Sequence, residues 1–305
     1  MSIVVFGSIN MDLVARTPRL PAPGETLTGH SFQTFPGGKG ANQAVACARL
    51  GAKTFMVGCV GGDVFGGTLK AQLEAAGVDH TNVEVDAQVS SGVALIAVED
   101  SAQNSIIVVP GANGQVNEKD LLRLESVLEK SKILLLQLEI PLEMVVAAAK
   151  IAKEKGVKVI LDPAPAQALP EELYSLIDII TPNETEAALL VGFPVENQED
   201  ASRAVKVLEE RGVGQPIIKM GGKGAFAKID GKEIVFKTFP VKAVDTVAAG
   251  DAFNGALAAA LSEEKSIQEA IQWGMAGGAL SVTKEGAQPA MPTRNDLLAI
   301  LEKNL

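Results

Sequence analysis

Apolar residues fall along this chain in two alternating patterns. Near-continuous apolar runs of strand length occupy residues 2–6, 54–60, 133–138, 158–161, 177–181 and 216–220. Between them, residues 42–50, 69–76, 121–129, 143–155, 184–191 and 201–211 place apolar positions at helical spacing. Gly51 and Gly77 stand where the first two helical patterns stop, as helix-ending glycines do. Two long helical patterns, 250–261 and 267–283, and a last one from Arg294 fill the end of the chain. Strands apolar on both faces, alternating with helices, predict an α/β fold: a doubly wound, mostly parallel sheet with helices on both faces.

Two stretches break this rhythm. Residues 13–36 carry Pro18, Pro21, Pro23 and Gly24 between short β-type pieces. Residues 92–98 and 105–109 flank a turn at 99–104 and predict a hairpin. Together they predict a small β-sheet lid, its segments at approximately 13–36 and 92–109, inserted in a single domain spanning 1–305. The competing account is a β extension on the edge of the main sheet. No internal repeat, low-complexity tract or linker interrupts the chain.

Composition narrows the function classes. Hydrophobic residues make up 47% and charged residues 21%, so the chain is globular. A net charge of −10 argues against nucleic acid or an anionic membrane as the main partner. No run of 18 apolar residues and no signal-peptide pattern is present. Cys47 and Cys59 lie in apolar patterns without CxxC spacing, and His30 and His80 are isolated. These features predict buried thiols, no zinc site and a cytoplasmic protein.

The segment with most chemistry is Asp245-Thr-Val-Ala-Ala-Gly-Asp251, which leads directly into the Ala-rich helix pattern. Small residues allow close backbone approach, and a helix start directs free N–H groups and a positive dipole end at whatever sits there. That is an anion site with a carboxylate, Asp251, beside it, as a kinase acting on an alcohol requires. Asp251 acting only as a helix cap is the alternative. Gly37-Gly38-Lys39-Gly40-Ala41-Asn42 is a second glycine-rich loop that opens a helix, and it suits a polyhydroxy ligand or phosphate. It is neither a Walker A loop nor a Rossmann fingerprint, and Gly222–Ala227, though it matches GxGxxA, precedes a β pattern and predicts a strand-to-strand turn. Asn10 and Asp12 follow the first strand and share one side of an extended segment, suited to neighbouring sugar hydroxyls or to an Asx turn. Glu139 and Asn183 also follow strands, and Glu186, one turn beyond Asn183, could hold water on Mg²⁺ or belong to a helix cap.

The segments Gly7-Ser-Ile-Asn-Met-Asp12, Gly37-Gly-Lys-Gly-Ala-Asn-Gln43, Thr181-Pro-Asn-Glu-Thr-Glu186 and Asp245–Asp251 resemble, in order and spacing, the signatures of the ribokinase family of ATP-dependent sugar kinases. The resemblance covers essentially the whole chain. With Asp162-Pro-Ala-Pro-Ala166 and Gly286-Ala-Gln-Pro289, it is nearer to the family's ribose-phosphorylating members than to its fructokinases or adenosine kinases.

The resemblance implies phosphorylation of D-ribose at O5 by ATP. Asp251 would be the base, and the amides of Ala248, Ala249 and Gly250 an anion hole. Asn10, Asp12, Gly38, Lys39, Asn42, Glu139 and Asp251 would hold ribose. Asn183, Lys219, Gly221, Gly222, Gly224, Gly250 and Met275 would meet ATP, with Mg²⁺ organised through water by Glu186. Asp245, Val247, Ser281, Lys284, Gly286 and Ala290 would hold an activating K⁺. The lids of two chains would pair as a homodimer. Three positions depart from the family pattern: Lys219 where threonine is usual, Met275 where Asn or His is frequent, and Gly62 where Asp is common. The rivals are a kinase for another sugar or a nucleoside, and a non-catalytic sugar-binding relative. Against the latter stand Asp245, Gly250 and Asp251, all present.

Overall fold

The computed structural model describes residues 2–101 and 103–303. Its elements run β1 (Ser2–Phe6), β2 (Asn10–Thr17), β3 (Ser31–Gly37), α1 (Lys39–Arg49), β4 (Lys53–Gly61), α2 (Val64–Ala75), β5 (Asp79–Asp86), β6 (Gly92–Glu99) and β7 (Asn104–Val109). They continue α3 (Glu118–Leu128), β8 (Ile133–Leu136), α4 (Leu142–Glu154), β9 (Lys158–Leu161), α5 (Glu171–Tyr174), β10 (Ile179–Ile180), α6 (Glu184–Val191), α7 (Gln198–Glu210) and β11 (Gln215–Lys219). The last are β12 (Ala225–Ile229), β13 (Lys232–Phe236), α8 (Ala249–Ser262), α9 (Ile267–Ser281) and α10 (Arg294–Glu302).

The main sheet has nine strands in the order β13-β12-β11-β10-β9-β8-β1-β4-β5. All its pairings are parallel except those of β12 with β11 and β13. Its central strands are buried on both faces, and the side-chain period of two divides them between two cores. Val4, Phe6, Leu134 and Leu136 pack under α3 and α4, whereas Ile3, Val5, Ile133 and Leu135 pack under α1, α8 and α9. A second sheet of four strands, β3-β2-β6-β7, lies apart from the first. Within it β2 and β6 run parallel, and the β6–β7 hairpin is the one the sequence predicts.

Several boundaries differ from the sequence expectation. The small sheet begins at Asn10, three residues before the expected start at 13, so Asn10 and Asp12 sit on β2 and not on a loop leaving β1. The outer strand β5 carries an alternating, largely polar pattern and shows no apolar run to detect. The expected strand at 177–181 contracts to Ile179–Ile180, and α1 starts at Lys39, three residues before 42.

One packing contact sets the site. A Cβ on Gly255 of α8 would lie 2.4 Å from the Ala46 Cβ of α1. Only glycine there lets the two helices meet so closely, and the contact brings the start of α1 against the start of α8.

Candidate active site

Two cavities meet at the first turn of α8. One, of about 600 Å³, lies between the small sheet and the main sheet. Asn10, Asp12, Gly38, Lys39, Asn42, Glu139 and Asp251, the seven residues expected at the sugar, all line it. The other, of about 620 Å³, is lined by Asn183, Lys219, Gly221, Gly222, Gly224, Gly250 and Met275, the seven expected at the nucleotide. Ala243 and Thr246 line both.

Asp251 lies in the first turn of α8 and is 4% exposed. Asn42 Nδ2 donates to its Oδ2 at 2.9 Å, and Gln43 Nε2 donates to its Oδ1 at 3.1 Å. Burial pushes its carboxyl above the ordinary range, against the pull of Lys39 and with the help of Asp162; the two amide donors pull it down. A base at the usual aspartate value would already suffice at pH 7; burial instead moves this one toward its working pH. Just before it, Ala248 adopts φ +59, a left-handed turn that starts the helix without a side-chain cap. The amides of Ala248, Ala249 and Gly250 thus stand at the positive end of α8.

On the other side, Gly38 caps α1 with φ +86, and a Cβ there would lie 2.6 Å from the Asn10 amide nitrogen. Glu139 accepts from Ser8 Oγ at 2.5 Å and from the Lys39 amide at 3.1 Å, and so pins this loop. The Lys39 ammonium loses hydration by burial, but Asp251, Asp162, Glu139 and Glu186 together raise its pKa and keep it charged. Asp12 is driven up to about 7 by burial, then by Glu139 and Asp251. Asn42 lines the same cavity through its residue surface, while its Oδ1 is buried with no hydrogen-bond partner among the described residues.

Asn183 and Glu186 form a reciprocal cap on α6: the Glu186 amide donates to Asn183 Oδ1, and the Asn183 amide and Nδ2 donate to the two oxygens of Glu186. The capping account is thereby realised, while Asn183 still lines the nucleotide cavity and Glu186 does not. Burial raises the Glu186 carboxyl, opposed by Lys219. Among the described residues no group of three or more His, Cys, Asp or Glu could hold a metal.

Asp245 ties two loops together, accepting from the Val247 amide and the Gly286 amide, each at 3.0 Å. No Lys or Arg among the described residues forms an ion pair with it. Val247 and Gly286 stand beside Asp245 on the sugar cavity, while Ser281 and Ala290 are buried away from both cavities. Lys284 also lines neither cavity.

The structure adds residues that the sequence did not assign. Gln43 donates to both Asp251 and Asp162 and accepts from Gln137 Nε2 at 2.7 Å. Asn113 donates to Asn10 Oδ1 at 2.6 Å and accepts from the Ile9 amide. Gln43 was within reach, being next to Asn42 in the glycine-rich motif. Asn113 lies about 100 residues from its partner, and no local signal marks it.

Comparison with known proteins bears directly on this geometry. The family model described as pfkB family carbohydrate kinase matches residues 1–294. The chain is 49% identical over 301 residues to a ribokinase of Haemophilus influenzae, covering 99% of this chain and 98% of that one. It is 38% identical over 294 residues to a deoxyribokinase of Salmonella typhi, covering 96% of each. A solved structure of Arabidopsis thaliana ribokinase complexed with ribose and ATP superposes with a TM-score of 0.91 at 38% identity, over 99% of this chain and 98% of that one. The chain belongs to the pfkB family of carbohydrate kinases.

Proposed function

We propose that the protein phosphorylates D-ribose at O5 with ATP, giving D-ribose 5-phosphate and ADP. The observation that carries this reading is the meeting of the two cavities at one helix start, with Gly250 on one and Asp251 on the other. A sugar in the first cavity and a triphosphate in the second would face each other across that turn.

The chemistry follows from the placement. Asn10, Asp12, Gly38, Lys39, Asn42 and Glu139 orient the sugar. Asp251 accepts the O5 proton as the O5–P bond forms, and the bond from phosphorus to the bridging oxygen breaks with its electron pair leaving on ADP. The amides of Ala248 to Gly250 receive the charge on the phosphoryl oxygens. Asn183, Lys219, Gly221, Gly222, Gly224 and Met275 line the nucleotide. Mg²⁺ bound with ATP supplies charge neutralisation, and Glu186 would hold it through water. K⁺ held by Asp245 and Val247 with oxygens from Ser281, Lys284, Gly286 and Ala290 would fix the backbone next to the anion hole.

The whole chain acts as one catalytic unit in this account, with the small sheet as a lid that excludes water. Phe32, Leu95 and Ile107 are exposed on the face of that sheet turned away from the cavity, a surface suited to the lid of a second copy. No described helix is long and apolar enough to cross a membrane. Both cysteines are buried and free, as a reducing cytoplasm would keep them.

The likeness to a deoxyribokinase makes 2-deoxyribose the second substrate to test. Comparison of kcat/KM for ribose, 2-deoxyribose, fructose and adenosine in a coupled ADP-release assay tests the assignment. Ribose should lead, and adenosine or fructose turned over faster than ribose would overturn it.

A further inference from the structure

Lys219 ends β11 and Asp162 follows β9, so both stand at the carboxyl ends of parallel strands of the main sheet, with β10 between them. The Lys219 ammonium lies 2.9 Å from Asp162 Oδ1, with side chains 14% and 2% exposed. A buried ion pair is costly to desolvate and contributes little net stability by itself. Its position is more informative than its energy. The ammonium is 3.3 Å from where a Cβ on Gly250 would be, so it lies against the first turn of α8, beside the anion-hole amides. Among the described residues lining the nucleotide cavity, Lys219 is the only cation, and Glu184 adds a negative charge. An ammonium has three donors, and Asp162 takes one. The other oxygen of Asp162 accepts from Gln43 Nε2 at 2.9 Å, and the same Nε2 donates to Asp251.

We propose that Lys219 is a catalytic cation of the transfer step: its ammonium contacts the terminal phosphoryl group over Gly250 and neutralises the charge that grows there. The proposal rests on the sugar-kinase reading above. Lys219 makes and breaks no bond. The O5 proton passes to Asp251, the O5–P bond forms, and the bond to the diphosphate breaks with its electrons on ADP, while Lys219 stays protonated. Asp162 is a positioning residue that holds Lys219 with one oxygen and, through Gln43, the base with the other. The phosphate-side cation and the base thereby share one anchor.

The test uses Lys219→Met, Lys219→Arg, Asp162→Asn and the double variant Lys219→Met/Asp162→Asn, which leaves no unpaired buried carboxylate. Steady-state kinetics give kcat and both KM values, and calorimetry gives Kd for ADP and for the imido analogue of ATP. Lys219→Met should lower kcat about 10²-fold, the scale for loss of one group that stabilises transition-state charge. The sugar KM should stay within about threefold, and Lys219→Arg should recover most of the loss. The analogue-to-ADP ratio of Kd should rise about tenfold in Lys219→Met, because the cation meets only the third phosphate. If Lys219→Met does not fold, the same losses should separate the double variant from Asp162→Asn alone. A kcat within about threefold of the parent, with the Kd ratio unchanged, would overturn the proposal. Wild-type protein that does not turn over ribose would sink the substrate reading instead, and the Kd ratio would still report on Lys219.

Discussion

Replacing Asp12 by Asn separates what its carboxylate costs the fold from what it gives the sugar. Its carboxyl is pushed from 3.8 to about 7, first by burial and then by Glu139 and Asp251. The folded value lies above the unfolded one. The folded state therefore holds the extra proton between about pH 4 and pH 7, and stability falls as pH rises through that window. A shift of about three units at roughly 1.4 kcal/mol each gives up to ~4 kcal/mol lost by pH 8 in the free protein. Asp12→Asn should recover much of this at pH 8 and almost none at pH 4, read by urea denaturation at the two pH values. Function should move the other way. An ionised acceptor of sugar hydroxyls is worth roughly 1.5–3 kcal/mol, so ribose KM should rise about tenfold to a hundredfold. In wild type, kcat/KM for ribose should climb with pH and level off above about 7, as the free enzyme's Asp12 ionises. Equal stability of the two proteins at pH 8, together with an unchanged ribose KM, would refute the reasoning.

Three further substitutions probe separate parts of the site. Asp251→Asn should lower kcat by at least about 10²-fold while ribose and ATP binding, measured by calorimetry, remain; near wild-type turnover would reduce Asp251 to a cap. Exchanging K⁺ for tetramethylammonium at equal ionic strength should cut kcat severalfold, and Asp245→Ala should abolish the difference, since its carboxylate ties Val247 to Gly286; equal rates in both salts for wild type would remove the cation from the account. Gly38→Ala meets φ +86 and a Cβ 2.6 Å from the Asn10 amide, and should cost about 2 kcal/mol or more in denaturation while raising ribose KM; a variant neutral in both would show that this loop has room.

The parallel strands and their covering helices were legible because residues buried on both faces leave no polar alternation, as in Ser2–Phe6 and Ile133–Leu136. The helix start at Asp251 was legible as small residues running into an apolar helix pattern, and the other glycine-rich and strand-end segments of the chain set it apart from a plain cap. The strand Asp79–Asp86 was hidden because it is the outer strand of the sheet, where one polar face is tolerated. Ile179–Ile180 was overestimated because apolar residues around it are buried in loops rather than paired. The two cavities gather every residue expected at sugar and nucleotide, yet the links among them were invisible. Gln43 joins Asp251, Asp162 and Gln137 across more than 200 positions of sequence, and such contacts follow from packing alone. The raised carboxyls of Asp12 and Asp251 are likewise products of burial, which residue type does not reveal.

The central claim is that one helix start carries a phosphoryl group from ATP to the O5 of ribose. Its most direct test is ³¹P and ¹³C NMR of purified protein with ribose, ATP, Mg²⁺ and K⁺. The account predicts one new phosphate monoester coupled to carbon 5 of the sugar, formed in equal amount with ADP and absent without ribose. ADP released with inorganic phosphate and no sugar ester, or an ester on a different carbon, would contradict it.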